Sequence, residues 1–206
     1  MAALAPLLHV ETDAPVLFPR IDLRTGLVAS GALGPQPNLE ALGQALKSAR
    51  RAWRGAGFVA PLSAPLWRVD LDAEWLDDVA REAGCTPHSL SFELDETQMQ
   101  RAGPALAVAL RARGWGVTLN TDPDCPLPFG KHARSLYTEI LLDAPDQVDP
   151  YLALDACTHS PLGRRIFAAK EAGIMVTART VNDDATASLL ALAGFDRAGG
   201  KVAAQA

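Results

Sequence analysis

The stretch that decides the fold is Gly173-Ile-Met-Val-Thr-Ala-Arg-Thr-Val-Asn-Asp-Asp184. Its first half is a short apolar run, which is typical of a buried strand, and its second half is rich in residues that form turns and cap helices. A helix is predicted directly afterwards, over residues 183–193. A buried strand followed by a turn and a helix is one βα unit, from which parallel sheets are built.

The same order of strand and helix repeats along the chain. Strands are predicted over residues 66–71, 89–94, 115–120, 136–142 and 174–178, with a last short strand from residue 195. Helices are predicted from residue 38 and over residues 73–83, 96–113, 149–157 and 160–172. About seven or eight such units in a chain of this length favour a closed (β/α) barrel over an open sheet.

The first two strands are predicted over residues 16–23 and 26–33. Arg24-Thr25-Gly26 joins them and reads as a turn. A parallel crossover needs about a dozen residues or more, so this link is too short for one. We therefore predict that the first strand pair is antiparallel.

Composition indicates one globular domain without a nucleic-acid partner. The chain has 206 residues, of which 49% are hydrophobic and 21% charged, with a formal net charge of -5. A negative chain is a poor ligand for phosphate backbones, and no apolar run is long enough for membrane insertion. The 3 cysteines are odd in number and widely spaced, which is typical of a protein of the reducing cytoplasm.

Polar residues follow several predicted strands, among them Asp70, Glu93 and Asn120. In a parallel barrel the strand ends converge, and oxygen ligands that converge there are what Mg²⁺ needs. Asp and Asn also collect at strand ends because they form turns and cap helices. Both interpretations remain open from these residues alone.

Several motifs, in order and with matching spacing, resemble those of the EAL domain, the bacterial cyclic di-GMP phosphodiesterase fold. The quoted stretch is similar to the family's G-[IL]-x-V-x-A-E-G-V-E-T, and Phe92-Glu-Leu-Asp-Glu-Thr97 is similar to L-E-[IL]-T-E-S. Weaker matches are Phe18-Pro-Arg-Ile-Asp-Leu-Arg-Thr-Gly26, Ser30-Gly-Ala-Leu33, Val69-Asp-Leu-Asp72, Gly116-Val-Thr-Leu-Asn-Thr-Asp122 and Leu192-Ala-Gly-Phe-Asp-Arg-Ala-Gly-Gly200.

The resemblance implies a shortened TIM-type (β/α)8 barrel, of the α/β class, over residues 15–200. Residues 1–14 are then an N-terminal extension, and residues 201–206 are a tail. It also assigns family positions whose usual residue is lost: Gly31 (a metal-binding Glu), Asn120 and Thr121 (paired aspartates), Arg179 (the catalytic Glu), Thr180 (a Gly), Asn182 (a second Glu) and Gly199 (a Gln).

These losses imply that hydrolysis is lost. The family uses two metals, a strand Lys and the Glu at the position of Arg179. The predicted strand 136–142 contains no Lys. An Arg cannot act as a base, because its pKa exceeds about 12. The resemblance therefore implies no catalytic residue and no Mg²⁺ cofactor, with Asp70, Glu93 and Asn120 as vestigial metal-ligand candidates.

Two functions remain, with a residual phosphodiesterase as a distant third. The first is a regulatory module of bacterial signalling that binds another protein. The second is a receptor that binds cyclic di-GMP without cleaving it, a possibility the sequence favours less. Whether the chain forms a homo-oligomer stays open.

Four further residues bear on these two functions. Phe18 replaces the family's opening Gln, which contacts the ligand. Arg20, Arg68 and Arg179 either contact phosphates or form salt bridges with the acidic strand ends.

One loop is a candidate partner-binding element. Residues 122–130 carry three prolines together with Leu127 and Phe129, where the family has F-G-T-G-Y-S-S-L. Proline stiffens the chain, and apolar side chains on a stiff loop bind with little ordering cost. The two residues are thus candidates either for anchoring a protein partner or for plugging the barrel.

Overall fold

The computed structural model describes residues 17–55, 60–68, 70–101, 103–122, 132–144 and 160–201. Within these ranges the strands are β1 (Leu17–Asp22), β2 (Val28–Leu33), β3 (Leu62–Pro65), β4 (Leu90–Asp95), β5 (Gly116–Asn120), β6 (Glu139–Asp143), β7 (Met175–Arg179) and β8 (Arg197–Gly199). The helices are α1 (Leu39–Gly55), α2 (Ala73–Glu82), α3 (Glu96–Arg101), α4 (Gly103–Ala112), α5 (Ala133–Leu136), α6 (Pro161–Glu171) and α7 (Asp184–Leu192).

The eight strands close into a barrel in chain order. β1 runs antiparallel to both of its neighbours, β2 and β8, and every other pair is parallel. The predicted α/β barrel with an antiparallel first strand is therefore confirmed. The turn between β1 and β2 is held by the Asp22 carboxylate, which accepts hydrogen bonds from the backbone N–H groups of Arg24 and Thr25.

The strand predicted over residues 66–71 is wrong. The third strand is Leu62–Pro65, and the chain has left the barrel wall before Trp67. Pro61 and Pro65 hid this strand, since proline is rare inside a sheet. The alternating pattern after Leu66 belongs to the connection that leads to Asp72, whose side chain caps α2.

Two other boundaries differ from the prediction. Residues 133–136 form the short helix α5, so the sixth strand begins only at Glu139. The long helix predicted over residues 96–113 appears as α3 and α4, which are described on either side of residue 102. The helix predicted over residues 149–157 lies outside the described residues.

The apolar core lies between the barrel wall and the surrounding helices. Phe92 of β4 and Trp115 are fully buried there, with their rings in edge-to-face contact at 6.3 Å between centroids. Leu42 and Leu46 of α1 are fully buried, one turn apart. The strands direct their apolar side chains outward into this layer. The side chains that alternate with them point into the barrel interior and can be polar.

Among the described helices, none is long and apolar enough to cross a lipid bilayer.

Candidate functional site

The barrel brings its polar residues together in its interior. Arg20 of β1 reaches across to Glu93 of β4, and its Nη2 lies 2.6 Å from the Glu93 Oε1. The hydroxyl of Ser63, on β3, donates a hydrogen bond to the same carboxylate oxygen. All three residues are buried. One oxygen of Glu93 is therefore engaged by a cation and by a hydroxyl donor.

Glu139 of β6 is a second buried carboxylate in the interior. Its Oε2 accepts a hydrogen bond from Thr118 at 3.3 Å, and its Oε1 accepts one from Thr177. The same Oε1 lies 3.8 Å from Nη1 of Arg20 and 4.0 Å from Nη1 of Arg197. Two carboxylates therefore face two guanidinium groups inside the barrel.

We call Arg20, Glu93, Glu139 and Arg197 the interior ion network. Burying a charge costs several kcal/mol unless an opposite charge and hydrogen bonds compensate for it. Here the charges balance, and the hydroxyl groups of neighbouring strands supply the remaining hydrogen bonds to the carboxylates. The network is therefore electrically neutral.

The residues present do not fit a divalent metal ion at Glu93. A metal would have to approach a carboxylate whose Oε1 already lies 2.6 Å from the Arg20 guanidinium, and the two cations would repel each other. Within the described residues, no three His, Cys, Asp or Glu side chains converge as a metal site requires. Glu93 is thus positioned as an ion-pair partner.

Asp70, the second vestigial candidate, lies away from the barrel strands. It follows β3, is exposed, and forms an ion pair with Arg68, which is exposed as well. The hydrogen bond from Arg68 holds the pKa of the Asp70 carboxyl below its usual value. The predicted strand that carried Asp70 is wrong, because the third strand is Leu62–Pro65, and its residue in contact with Glu93 is Ser63.

Gly31 faces the wrong way for a metal ligand. A Cβ at this position would lie 2.4 Å from Cζ2 of Trp53 in α1 and 3.1 Å from Cδ1 of Leu17. Its neighbour Ser30 pairs with Arg20 across β1 and β2 and shares the inward face. Since side chains alternate along a strand, position 31 points outward, and a Glu there would meet α1 and not the barrel interior.

The two residues at the paired-aspartate positions lie in different surroundings. Asn120 ends β5 and is half-buried. Thr121 is buried, and its hydroxyl contacts Glu96 and Arg165. Nη2 of Arg165 also donates to the backbone oxygen of Asp122 at 3.0 Å. Thr121 therefore takes part in a contact that ties α6 to the end of β5.

Tyr137 lies beside this contact. Its side chain is buried, and its hydroxyl has no hydrogen-bond partner among the described residues. Burial raises the pKa of the phenol, and the nearby charge of Glu96 adds to the rise. The phenol therefore stays protonated and neutral.

Arg179, at the position of the catalytic Glu, ends β7 and pairs with Asp143 of β6 at 2.8 Å. The next residue, Thr180, has a φ of 56°, in the left-handed region that favours glycine. Asn182 is exposed just before α7. The turn thus keeps a conformation suited to the family's Gly, with a β-branched residue in its place.

The three arginines weighed as phosphate ligands are all paired with carboxylates. Arg20, Arg68 and Arg179 make their ion pairs within the chain, which agrees with the salt-bridge interpretation. Gly199 of β8 lies beside the first of them, since a Cβ there would lie 3.5 Å from Cγ of Arg20. The small residue at 199 leaves room for the Arg20 side chain.

Sequence reasoning missed Ser63, Glu139 and Arg197. The only available signal was a charge or hydroxyl inside an apolar strand, as in Glu139-Ile-Leu-Leu142. Two of the proposed site residues, Leu127 and Phe129, lie outside the described residues, so their roles stay predictions. Phe18, near the end of β2 at the mouth of the barrel, is half exposed, at 52% of its surface, and pairs with Ala32 across β1 and β2.

Comparisons with known proteins find the fold but no close relative. No protein-family model matches the sequence, and no curated protein matches it. Among solved structures, the chain is similar to the PaMucR phosphodiesterase in complex with c-di-GMP, with a TM-score of 0.68 and 13% identity over 92% of this chain and 94% of that one.

Two further structures give the same result. The EAL domain of Mycobacterium smegmatis DcpA matches with a TM-score of 0.65 and 22% identity, over 93% of this chain and 90% of that one. Klebsiella pneumoniae BlrP1, in a calcium and cyclic di-GMP complex, matches with a TM-score of 0.73 and 16% identity over 97% of this chain. The match spans 59% of BlrP1. The chain therefore has the fold of EAL domains.

Proposed function

We propose that residues 15–200 form a non-hydrolysing EAL-like domain that acts by binding another protein. The observation that carries this proposal is the ion pair between Arg20 and Glu93 inside the barrel. In the family that the sequence resembles, the Glu of this motif binds a metal ion that activates water. Here the carboxylate neutralises an arginine of the same chain.

The mouth of the barrel supports the same conclusion. Phosphodiester hydrolysis needs a general base and metal-activated water. The residue at the base position is Arg179, whose guanidinium pairs with Asp143 and cannot accept a proton near neutral pH. Loss of several cooperating groups leaves little residual rate.

A protein-binding role is supported by large apolar side chains on the outer helices. Trp75 of α2, Phe167 of α6 and Leu192 of α7 are 57%, 51% and 73% exposed. Exposed tryptophan and phenylalanine are enriched in protein interfaces, where they act as anchors. Single exposed apolar residues are ordinary on a surface, so these positions mark where variants should be made first.

Titration with cyclic di-GMP separates this proposal from the receptor alternative. Calorimetry with the whole chain, with and without Mg²⁺, should give no binding heat, because Arg20 and Arg179, two candidate phosphate ligands, already pair with carboxylates of the chain. An active EAL phosphodiesterase in the same buffers is the control. Saturable heat that disappears in an Arg179→Ala variant would favour a cyclic di-GMP receptor instead.

A further inference from the structure

The exposed face of α1 carries an unusual run of cations. Lys47 lies three and four residues before Arg50 and Arg51, and Arg54 lies three and four residues after Arg51 and Arg50, so the four lie on one side of the helix over about 10 Å. The only acidic residue of α1 is Glu40, in the first turn. The helix dipole favours cations only in the last turn, which holds Arg54, so it does not account for the three earlier cations.

No salt bridge within the described residues holds these four cations. None of them forms an ion pair with an Asp or Glu of the described residues. On the neighbouring helix α2, by contrast, Arg81 pairs with Asp77 at 2.9 Å. A cluster of like charges repels itself, and an incoming anionic group would relieve that repulsion.

Two adjoining cavities lie along this face. One, of about 330 Å³, is lined by the four cations, with Ala83 and Gly84 beside them. The other, of about 390 Å³, is lined by Arg50 and Arg54 together with apolar residues such as Pro61 and Pro87. We call the two cavities together the α1 groove. It therefore combines a cationic side with an apolar side.

The α1 groove lies at the opposite end of the barrel from the mouth. His88 and Ser89 line it directly before β4 begins, and Pro61 lies directly before β3. Parallel strands begin at the N-terminal face of the barrel, whereas the mouth is formed where they end. A ligand in the groove would therefore not compete with one at the mouth.

We propose that the α1 groove binds an acidic, partly apolar segment of a partner protein. This rests on the proposed function, for which it supplies a binding surface. The cationic side matches carboxylates spaced along a peptide, and the apolar side matches their aliphatic neighbours. A nucleic acid fits less well, because the groove tryptophan, Trp53, is buried and cannot stack on bases.

A labelled peptide tests this proposal. The probe is a synthetic fluorescein-labelled peptide with Glu and Leu at helical spacing, and the matched probe carries Gln in place of Glu. Fluorescence anisotropy should show saturable binding of the Glu peptide only. Because exposed charge pairs are screened, raising the salt to about 0.15 M should weaken the binding.

The variants are chosen to leave the fold intact. Lys47→Glu/Arg51→Glu/Arg54→Glu should weaken binding at least about tenfold, and the charge-neutral Gln version should weaken it less. Arg50 is kept because it interacts with the Cys85 thiol. Arg101→Glu/Arg134→Glu, which changes exposed cations of α3 and α5, is the control and should bind as the parent does.

Three results would overturn the proposal. The Glu peptide fails to bind, or the control variant loses as much affinity as the triple variants. Alternatively, a single-stranded oligonucleotide or a phosphatidylserine vesicle binds more tightly than the peptide and competes with it. None of these results bears on hydrolysis, so failure of the groove and failure of the proposed function are distinguishable.

Discussion

At the scale of single residues, the proposed loss of hydrolysis rests on the interior ion network. Arg20 contacts Glu93 directly and lies 3.8 Å from Glu139, so it compensates two buried carboxylates at once. Its Nη1 makes no hydrogen bond of its own within the described residues. We therefore expect that replacing Arg20 destabilises the fold more than replacing an exposed cation does.

Replacing Arg20 by Met should destabilise the fold by about 3–5 kcal/mol, because a buried carboxylate is left without its partner. The double variant Arg20→Met/Glu93→Gln should recover a substantial part of the loss, since it removes the orphaned charge. Urea unfolding measures the free energies, and Arg24→Met in the exposed turn serves as the control, expected within about 0.5 kcal/mol of the parent. If Arg20→Met is as stable as Arg24→Met, Arg20 does not have the stabilising role proposed for it.

Thr180 gives a second test at the same scale. Its φ of 56° costs a β-branched residue about 1–2 kcal/mol, which glycine avoids. Thr180→Gly should therefore raise stability by up to about 1 kcal/mol once the flexibility of glycine in the unfolded chain is subtracted. Thermal unfolding of this variant beside Thr86→Gly, in an exposed turn without a left-handed φ, decides the matter; equal destabilisation of both would argue against strain at 180.

At the scale of elements, strand register decides which residues enter the barrel. A shift of one residue exchanges the inward and outward faces of a strand. In β2 this alternation points position 31 at Trp53. Restoring a Glu there would therefore not rebuild a metal site.

Gly31→Ala should lower stability by about 1–3 kcal/mol, since the new methyl overlaps the Trp53 ring and forces repacking. Gly43→Ala in α1, whose Cβ would lie 3.4 Å from the Val79 side chain, should be neutral or stabilising by up to about 1 kcal/mol because alanine favours helix. Denaturant unfolding compares the two. If Gly31→Ala leaves the free energy of unfolding unchanged, position 31 faces open space and not Trp53.

The attachment of α2 is predicted to depend on pH. Asp77 accepts a hydrogen bond from the Trp115 ring N–H at 2.7 Å and pairs with Arg81. The hydrogen bond from Arg81 is the main cause that lowers the pKa of the Asp77 carboxyl. A lowered folded pKa means that this stabilisation is complete above the ordinary value of about 3.9 and is lost as the pH falls through the folded value.

The Asp77→Asn variant should therefore be less stable than the parent by about 1 kcal/mol at neutral pH. The difference should shrink as the pH falls below about 4. Unfolding free energies of both proteins across this range provide the check, and a gap that stays constant would show that ionisation of Asp77 plays no part.

At the scale of the whole molecule, the sequence predicted the barrel but not its interior. The short Arg24-Thr25-Gly26 link predicted the antiparallel pair, because local geometry alone decides it. The third strand was missed because Pro61 precedes it and Pro65 ends it, and proline is rare inside a sheet. The strand forms nevertheless, because it pairs with β2 and β4. The pairing of Arg20 with Glu93 joins residues 73 positions apart, so no local pattern could reveal it.

The resemblance pointed to individual residues, but the contacts that those residues make depend on long-range geometry. It marked Glu93 as a vestigial metal-ligand candidate, whereas the contact of Glu93 with Arg20 depends on the placement of β1 in the closed barrel. It assigned Asp70 to the barrel by pattern, whereas the closed sheet gives that place to Ser63. A motif names a residue such as Glu93, whereas its contacts with Arg20 and Ser63 follow only from the closed barrel.

Turnover of cyclic di-GMP by the purified chain, with Mg²⁺ and with Mn²⁺, tests the proposed loss of hydrolysis. We expect no hydrolysis above the buffer background, because Glu93 is paired with Arg20 and the residue at the base position is Arg179. The matched control is Glu93→Ala, which should be equally inactive. Measurable turnover in the parent chain that disappears in Glu93→Ala would contradict the account.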